Sequence, residues 1–318
     1  MHINSGYVYQ GGPYDLESLF SLEDVTEDSR EFMSTTGHSK LVQMWEALQV
    51  ETAPDVDTGS HCTSPYRCPF YSHCHQHVTD RPVSDLPGAR RKFLDDLKRS
   101  GIDDIRLIPS NHPGLNALQQ RVQDWVVNDR AFIGPELQSK LSEIDFPVSF
   151  LDFETFNPAL PAYVGTRPYQ AVPFQWSLHI KHRSGHLGHE SFLWTKTNDP
   201  RPALVESLLD AMPSEGTIVA YSNYEQTVMK QLATEFPAFE DALLGLCDRT
   251  FDLLKLVREE YYHPQFHGSF SIKSVLPVLV PEMDYQDLEI QQGLIAALDF
   301  GRMVAEDTPT AEQDTIKD

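Results

Sequence analysis

Phe146-Pro-Val-Ser-Phe-Leu-Asp-Phe-Glu-Thr-Phe156 is the stretch that decides the fold. Val148, Phe150 and Leu151 form an apolar run that a polar turn at Asn157-Pro158 closes, which predicts a buried strand opening a domain. Residues two apart on a strand share a face, so Asp152 and Glu154 project together. If those positions face the core, the two carboxylates need a neutralising partner, and a hard oxygen pair selects Mg2+ or Mn2+. The alternative is an edge strand with both acids in solvent and Phe153 buried.

Downstream, Phe174–Ile180 and Glu190–Trp194 read as strands joined by a hairpin at Arg183-Ser-Gly-His-Leu-Gly188. Pro202–Met212 reads as a helix, Thr217–Tyr221 as a short buried strand, and Asn223–Phe236 as a helix with Val228, Met229 and Leu232 inward. The order βββαβα predicts an α/β (α+β) domain over 144–318, a ribonuclease-H-like mixed sheet flanked by helices. Cys247 follows Leu243, Leu244 and Leu246 and is expected in the core. Asp252 is expected to cap a helix over 253–257. Glu225 falls at a helix start, where an acid is favoured whether or not it binds metal.

Upstream, residues 85–143 read as a helical connector, with helices over 89–101 and 115–127. Arg90, Arg91, Lys92, Lys98 and Arg99 form a basic patch that either meets phosphates or is a solvated helix face. Residues 1–84 offer little core. A strand over 3–9 and helical stripes at Leu16–Phe20 and Leu41–Leu48 do not close a fold, so an incomplete, smaller helical and Cys-rich domain is expected here. Cys62, Cys68 and Cys74 are spaced C-x5-C-x5-C, a pattern that favours a metal site over disulfides. Zinc takes a fourth ligand from His61, His73, His75 or His77, whereas a [4Fe-4S] cluster takes an outside cysteine.

Length and composition bound the whole. The 318 residues suit two domains, and 40% hydrophobic content suffices for their cores. No apolar run approaches a membrane span and the first residues lack a signal-peptide pattern, so the expected location is cytoplasmic, with no membrane partner. A net charge of −22 speaks against a diffuse electrostatic grip on nucleic acid, while leaving room for an enzyme that holds it through bound metal and a local basic patch.

The run Cys62…Pro65-Tyr-Arg-Cys68-Pro-Phe70…Cys74 resembles the cysteine cluster of RecB-like, CRISPR-associated PD-(D/E)xK exonucleases. That resemblance implies a [4Fe-4S] cluster completed by an upstream cysteine, yet no cysteine and no PD-(D/E)xK motif precedes Cys62; residues 1–84 are then a remnant. Phe150-Leu-Asp-Phe-Glu-Thr155 resembles the first motif of the DEDD 3′–5′ exonucleases. Ala220-Tyr-Ser-Asn-Tyr-Glu225 resembles the second, with Glu225 where that family has Asp. Thr250-Phe-Asp252-Leu and Ser271-Ile-Lys-Ser-Val-Leu276 resemble segments of ribonuclease-D-like members. Over nearly all its length the chain resembles a bacterial domain-of-unknown-function family numbered two-seven-seven-nine, which joins a RecB-like nuclease to a DEDD-type domain; Thr166-Arg-Pro-Tyr-Gln170 and Tyr261-Tyr-His-Pro264 fit its pattern.

The resemblance implies a metal-dependent 3′–5′ exonuclease acting on DNA more than RNA. Asp152, Glu154 and Glu225 then hold Mg2+ or Mn2+, Arg167, Tyr169 and Lys273 meet nucleic acid, and Cys62, Cys68 and Cys74 hold iron–sulfur or zinc. Arg167 and Lys273 are otherwise ordinary solvated cations. The implied partners are nucleic acid, the missing nuclease domain or other repair and defence proteins. The motif that supplies a fourth acid beside a Tyr is expected beyond Asp318; Asp307, Asp314 and Asp318 have no Tyr beside them. The chain is therefore expected to be truncated at both ends and nearly inactive. Two alternatives stand beside the nuclease: a catalytically dead nucleic-acid-binding module, and a zinc-stabilised protein-interaction module.

Overall fold

The computed structural model describes residues 1–52, 56, 58–62, 66–74, 79–283 and 293–304. Its centre is a strand, β1 (Val148–Phe156), paired on one side with β2 (Val172–Lys181), which in turn pairs with β3 (Leu187–Leu193). Both of these pairings are antiparallel. On its other side β1 runs parallel to β4 (Thr217–Ala220), and β4 parallel to β5 (Thr250–Asp252). The resulting order, β3-β2-β1-β4-β5, is a five-stranded mixed sheet flanked by helices, in keeping with the α/β (α+β) class expected from the element order. Between β2 and β3 the expected hairpin forms: Gly185 takes a positive φ of 89°, and the His182 N–H donates to the His186 carbonyl at 2.8 Å.

One face of the sheet carries the main core. Leu151, Phe153, Trp176, Leu178, Ile180 and Ile218 point into it. It is covered by α1 (Arg201–Ala211), α2 (Tyr224–Glu235) and α3 (Glu240–Asp248). In α2 the apolar residues Val228, Met229, Leu232 and Ala233 recur at the spacing of a helix stripe, which is why that face is buried. Leu204 and Leu208 of α1 and Leu243 of α3 are fully enclosed, and truncating any one to Ala costs about 2–5 kcal/mol. Cys247 lies in this core, as expected.

The pleat of β1 corrects one expectation. Leu151 and Phe153 take the core side, so Asp152 and Glu154 stand on the opposite face and are not core-facing. That face has two distinct ends. Near Phe156 it is covered by the last described helix, α6 (Gly293–Met303); Phe300 stacks on Phe174 at 4.0 Å. Phe174 reaches this side because β1 pairs Glu154 with Gln175 and Thr155 with Pro173, and the skipped residue is a bulge that turns the side chain over.

A second core lies outside the sheet and joins distant parts of the chain. The connector helices Arg91–Arg99 and Ala117–Val127 bury Leu97, Val122, Trp125 and Val126. Packed against them are Val257 of α4 (Leu253–Glu260), the aromatic residues Tyr262, Phe266 and Phe270, and Val275 of α5 (Ile272–Leu279). Phe132–Ile133 pairs antiparallel with Tyr261–Tyr262 across the same junction. Gly268 permits the closest approach: it has a φ of 71°, and a Cβ there would lie 1.7 Å from the Asp85 carbonyl oxygen.

Near the start of the chain, the strand expected over 3–9 is only His2–Ile3, paired with Phe20–Ser21. Residues 9–14 dock on the sheet domain: the Tyr9 N–H donates to Thr166 O at 3.0 Å and Tyr14 Oη to Pro161 O at 3.0 Å. The helices Thr26–Phe32 and His38–Gln49 bury no side chain, so the Leu41–Leu48 stripe is helical but exposed.

Candidate metal centre

Asp152 and Glu154 owe their position to strand lengths. The pairing of β1 with β4 ends at Phe150–Val219, while β1 continues to Phe156, so both carboxylates project past the end of β4. There the chain turns through Ser222, at φ 140°, and enters α2, whose first turn carries Tyr224 and Glu225. The last pair between β4 and β5 is Ala220–Asp252, which sets Asp252 at the same level. Four acids thus stand toward the carboxyl ends of three parallel strands. The order of strands also reverses direction between β1 and β4, and open mixed sheets bind ligands in the crevice beyond such a reversal.

The electrostatics follow from this crowding. Glu225 is 5% exposed, and its Oε2 finds no hydrogen-bond partner among the described residues. Burial pushes its carboxyl up to about 7; its own backbone N–H opposes the rise, and the charges of Asp152 and Asp252 add to it. Glu154 is raised by burial and then by Asp152, and Asp152 by burial of its carboxyl, although the residue as a whole is exposed. Tyr224 Oη shares a 2.6 Å hydrogen bond with Thr155 Oγ1. Its hydroxyl is raised first by burial, against the Thr155 bond, and then by Glu154, Glu225 and Asp152.

Beside these groups lies a cleft of about 510 Å³. Glu154, Thr155, Phe156 and Tyr224 form one wall, the Asn157–Ala159 turn its rim, and Ala297 and Leu298 of α6 the far side. The cleft thus carries one acid, Glu154, and the polar groups of Thr155, Asn157 and Tyr224 on an otherwise apolar surface.

Residues 149–271 match the family described as "Domain of unknown function (DUF2779)". The DUF2779 segment runs from Ser149 in β1 to Ser271, the N-cap of α5, so it contains Asp152, Glu154, Glu225 and Asp252. The cysteine cluster, Lys273 and α6 lie outside the DUF2779 match, which covers less of the chain than the expected likeness. No curated protein and no solved structure matches the chain.

Within the DUF2779 segment the structure brings Asp152, Glu154 and Glu225 to one end of the sheet. The side chains do not form a finished cage: among the described residues, no three Asp, Glu, His or Cys side chains converge as a metal-holding group. The donor set nonetheless fits a hard cation, and the orphaned Oε2 of Glu225 is an oxygen that a cation would satisfy. Asp252 is the helix cap it was expected to be, accepting from the Lys255 N–H at 3.0 Å.

None of the expected nucleic-acid residues lines the cleft itself. Arg167 and Tyr169 are exposed on the loop against its rim, where the Tyr169 N–H donates to Pro158 O at 2.8 Å. Lys273 lies in the first turn of α5, whose approach is tied to the β4–α2 turn by Tyr221 Oη donating to Phe270 O at 2.9 Å. Of the basic connector patch, Arg91 and Arg99 pair with Asp95 and Asp96, and Lys98 donates to Thr58 O at 2.8 Å, as a solvated helix face does.

The cysteines stay close along the chain: the Cys68 N–H donates to Cys62 O at 2.8 Å and the Cys74 N–H to Phe70 O at 3.0 Å. Cys62 is buried, Cys68 half-buried and Cys74 exposed, and all are free thiols. His75, His77, Asp307, Asp314 and Asp318 lie outside the described residues. Among the described residues no helix is long and apolar enough to cross a membrane.

Sequence reasoning missed Tyr224 and the α6 wall. An aromatic residue beside Glu225 was a visible signal, but its partner Thr155 is 69 positions away.

Proposed function

We propose that the chain is a metal-dependent nuclease of the 3′–5′ exonuclease type, with Asp152, Glu154 and Glu225 holding Mg2+ or Mn2+ against a phosphodiester of DNA in preference to RNA. The observation that carries this reading is Glu225: a carboxylate 5% exposed, lacking a partner for Oε2, pushed to about 7 and facing other acids where a sheet presents its ligand crevice. A buried unpaired carboxylate is costly unless something completes it.

Divalent ions in such a site activate water and stabilise the leaving oxygen. The chain's own groups do the remainder. Glu225, protonated in part near neutral pH, gives up its proton as it takes on a ligand role. Tyr224 keeps its proton, because burial and the neighbouring carboxylates hold its hydroxyl above the usual phenol range. Oriented by Thr155 beside Glu154, it is placed to donate to a phosphate oxygen. The apolar cleft receives the terminal nucleotide and excludes water from it.

A second reading, a binding module without catalysis, is favoured by the absence of a finished three-ligand cage among the described residues. One experiment separates the two. Purified chain is titrated with Mn2+ calorimetrically, and release of nucleotides from end-labelled single-stranded DNA is followed with and without EDTA. Metal-dependent release abolished by Asp152→Ala supports the nuclease; nucleic-acid binding without Mn2+ binding or release supports the module. We further propose that Cys62, Cys68 and Cys74 hold iron–sulfur or zinc, which elemental analysis of purified protein decides.

A further inference from the structure

The face of the sheet that bears Asp152 does not stop at β1. Residues opposite one another in antiparallel pairs share a face, so Asp152 continues into Ser177 and Ser191, and Phe150 into His179 and His189. Burial alternates accordingly along β2, with Trp176, Leu178 and Ile180 inside and His179 and Lys181 exposed. Phe150 remains 41% exposed although it lies in the central strand. The two histidine rings stack across the strands at 4.1 Å with 24° between their planes, and Ser177 Oγ holds the His189 ring at Nε2, 3.1 Å away.

The charge of this face runs against that of the chain. In a protein of net charge −22, residues 155–189 contain no Asp or Glu, yet include Arg167, Lys181, Arg183 and four histidines. Glu190, the next acid, pairs with Leu178 and so points to the other side of the sheet. Cationic groups thus gather at the hairpin end of β2, and carboxylates at the opposite end of β1. A polyanion with one phosphate at the carboxylates would find its cations along this line.

We propose that the open face of β2 and β3 is a track for single-stranded nucleic acid, with bases stacking on the His179–His189 pair and phosphates meeting Lys181 and Arg183. The destination of the track rests on the nuclease reading; the binding does not. Stacked flat rings recognise exposed base faces, which a strand presents and a duplex hides. Two phosphate contacts add a modest salt dependence, with a slope of about −0.7 per contact.

The test uses the full chain in EDTA with fluorescein-labelled oligothymidine, read by anisotropy. Replacing both histidines (His179→Ala with His189→Ala) is expected to weaken binding about tenfold or more, and His179→Tyr with His189→Tyr, the tyrosine pair, to restore it. Lys181→Ala with Arg183→Ala is expected to lower the salt slope by about 1.4. The tyrosine pair also shows that the surface still folds. Unchanged affinity in the alanine pair, blunt duplex bound as tightly as single strand, or no binding by the wild type would overturn the track. Release of nucleotides with Mn2+ is measured alongside. Wild-type KM in the alanine pair sinks the track and leaves the nuclease standing, whereas binding lost on substitution with no release by any protein does the reverse.

Discussion

Glu225→Gln bears directly on whether the buried carboxyl awaits a cation. A rise from the ordinary 4.5 to about 7 corresponds, at about 1.4 kcal/mol per pH unit, to about 3 kcal/mol. Because the folded state holds this proton more tightly than the unfolded state, the folded chain binds more protons between those two values. Stability from this group is therefore greatest below pH 4.5, falls as pH rises, and carries the full penalty above pH 7. Glutamine cannot ionise, so in EDTA the variant should lose that slope and exceed the wild type at pH 8 by up to about 3 kcal/mol. Saturating Mn2+ should reverse the ranking, adding about 2.7 kcal/mol to the wild type at a hundred times its Kd and much less to the variant. Urea unfolding from pH 5 to pH 8, with EDTA or Mn2+, measures both effects. Identical pH dependence in the two proteins, or equal stabilisation by Mn2+, would refute the argument.

Three further outcomes are open to measurement. Asp104 is buried and held at about 2, first by its hydrogen bonds from Arg106, so its stabilisation is present above pH 3.8 and lost as pH falls toward 2. Asp104→Asn should cost about 1–2 kcal/mol at pH 7, discounted because Arg106 is half exposed, and should flatten the acid limb of the stability curve. Tyr224→Phe removes the 2.6 Å bond to Thr155 and should lower kcat about a hundredfold with KM and melting temperature nearly unchanged; a pure KM effect would place the tyrosine in binding alone. Gly268→Ala forces a Cβ to within 1.7 Å of Asp85 O and should destabilise by more than about 1 kcal/mol in thermal melts, and a neutral change would show that the connector is not pinned there.

Much of the sheet was legible because its signals are local. The apolar run closed by Asn157-Pro158 gave β1, the residues 174–180 gave β2, the turn around Gly185 marked the hairpin, and the position of Asp252 before an apolar helix gave its capping role. The face on which Asp152 would stand was not legible, since β1 carries large apolar residues at both parities and only the position of α1–α3 decides between them. The convergence of Glu225 with Asp152 could be expected only through resemblance, because it depends on where β4 stops against β1. The second core escaped for a similar reason: Trp125 meets Tyr262 at 5.4 Å across more than a hundred positions, a separation at which periodicity carries no information.

That second core bears on how the protein can be dissected. The family match stops at Ser271 and starts at Ser149, so a fragment cut to those limits would keep Tyr262, Phe266 and Phe270 while discarding Val122, Trp125 and Val126 that cover them. Three aromatic rings would be left facing water, an invitation to precipitate rather than to fold. Expression boundaries for this chain should be drawn by which rings touch, and they should begin no later than Val83.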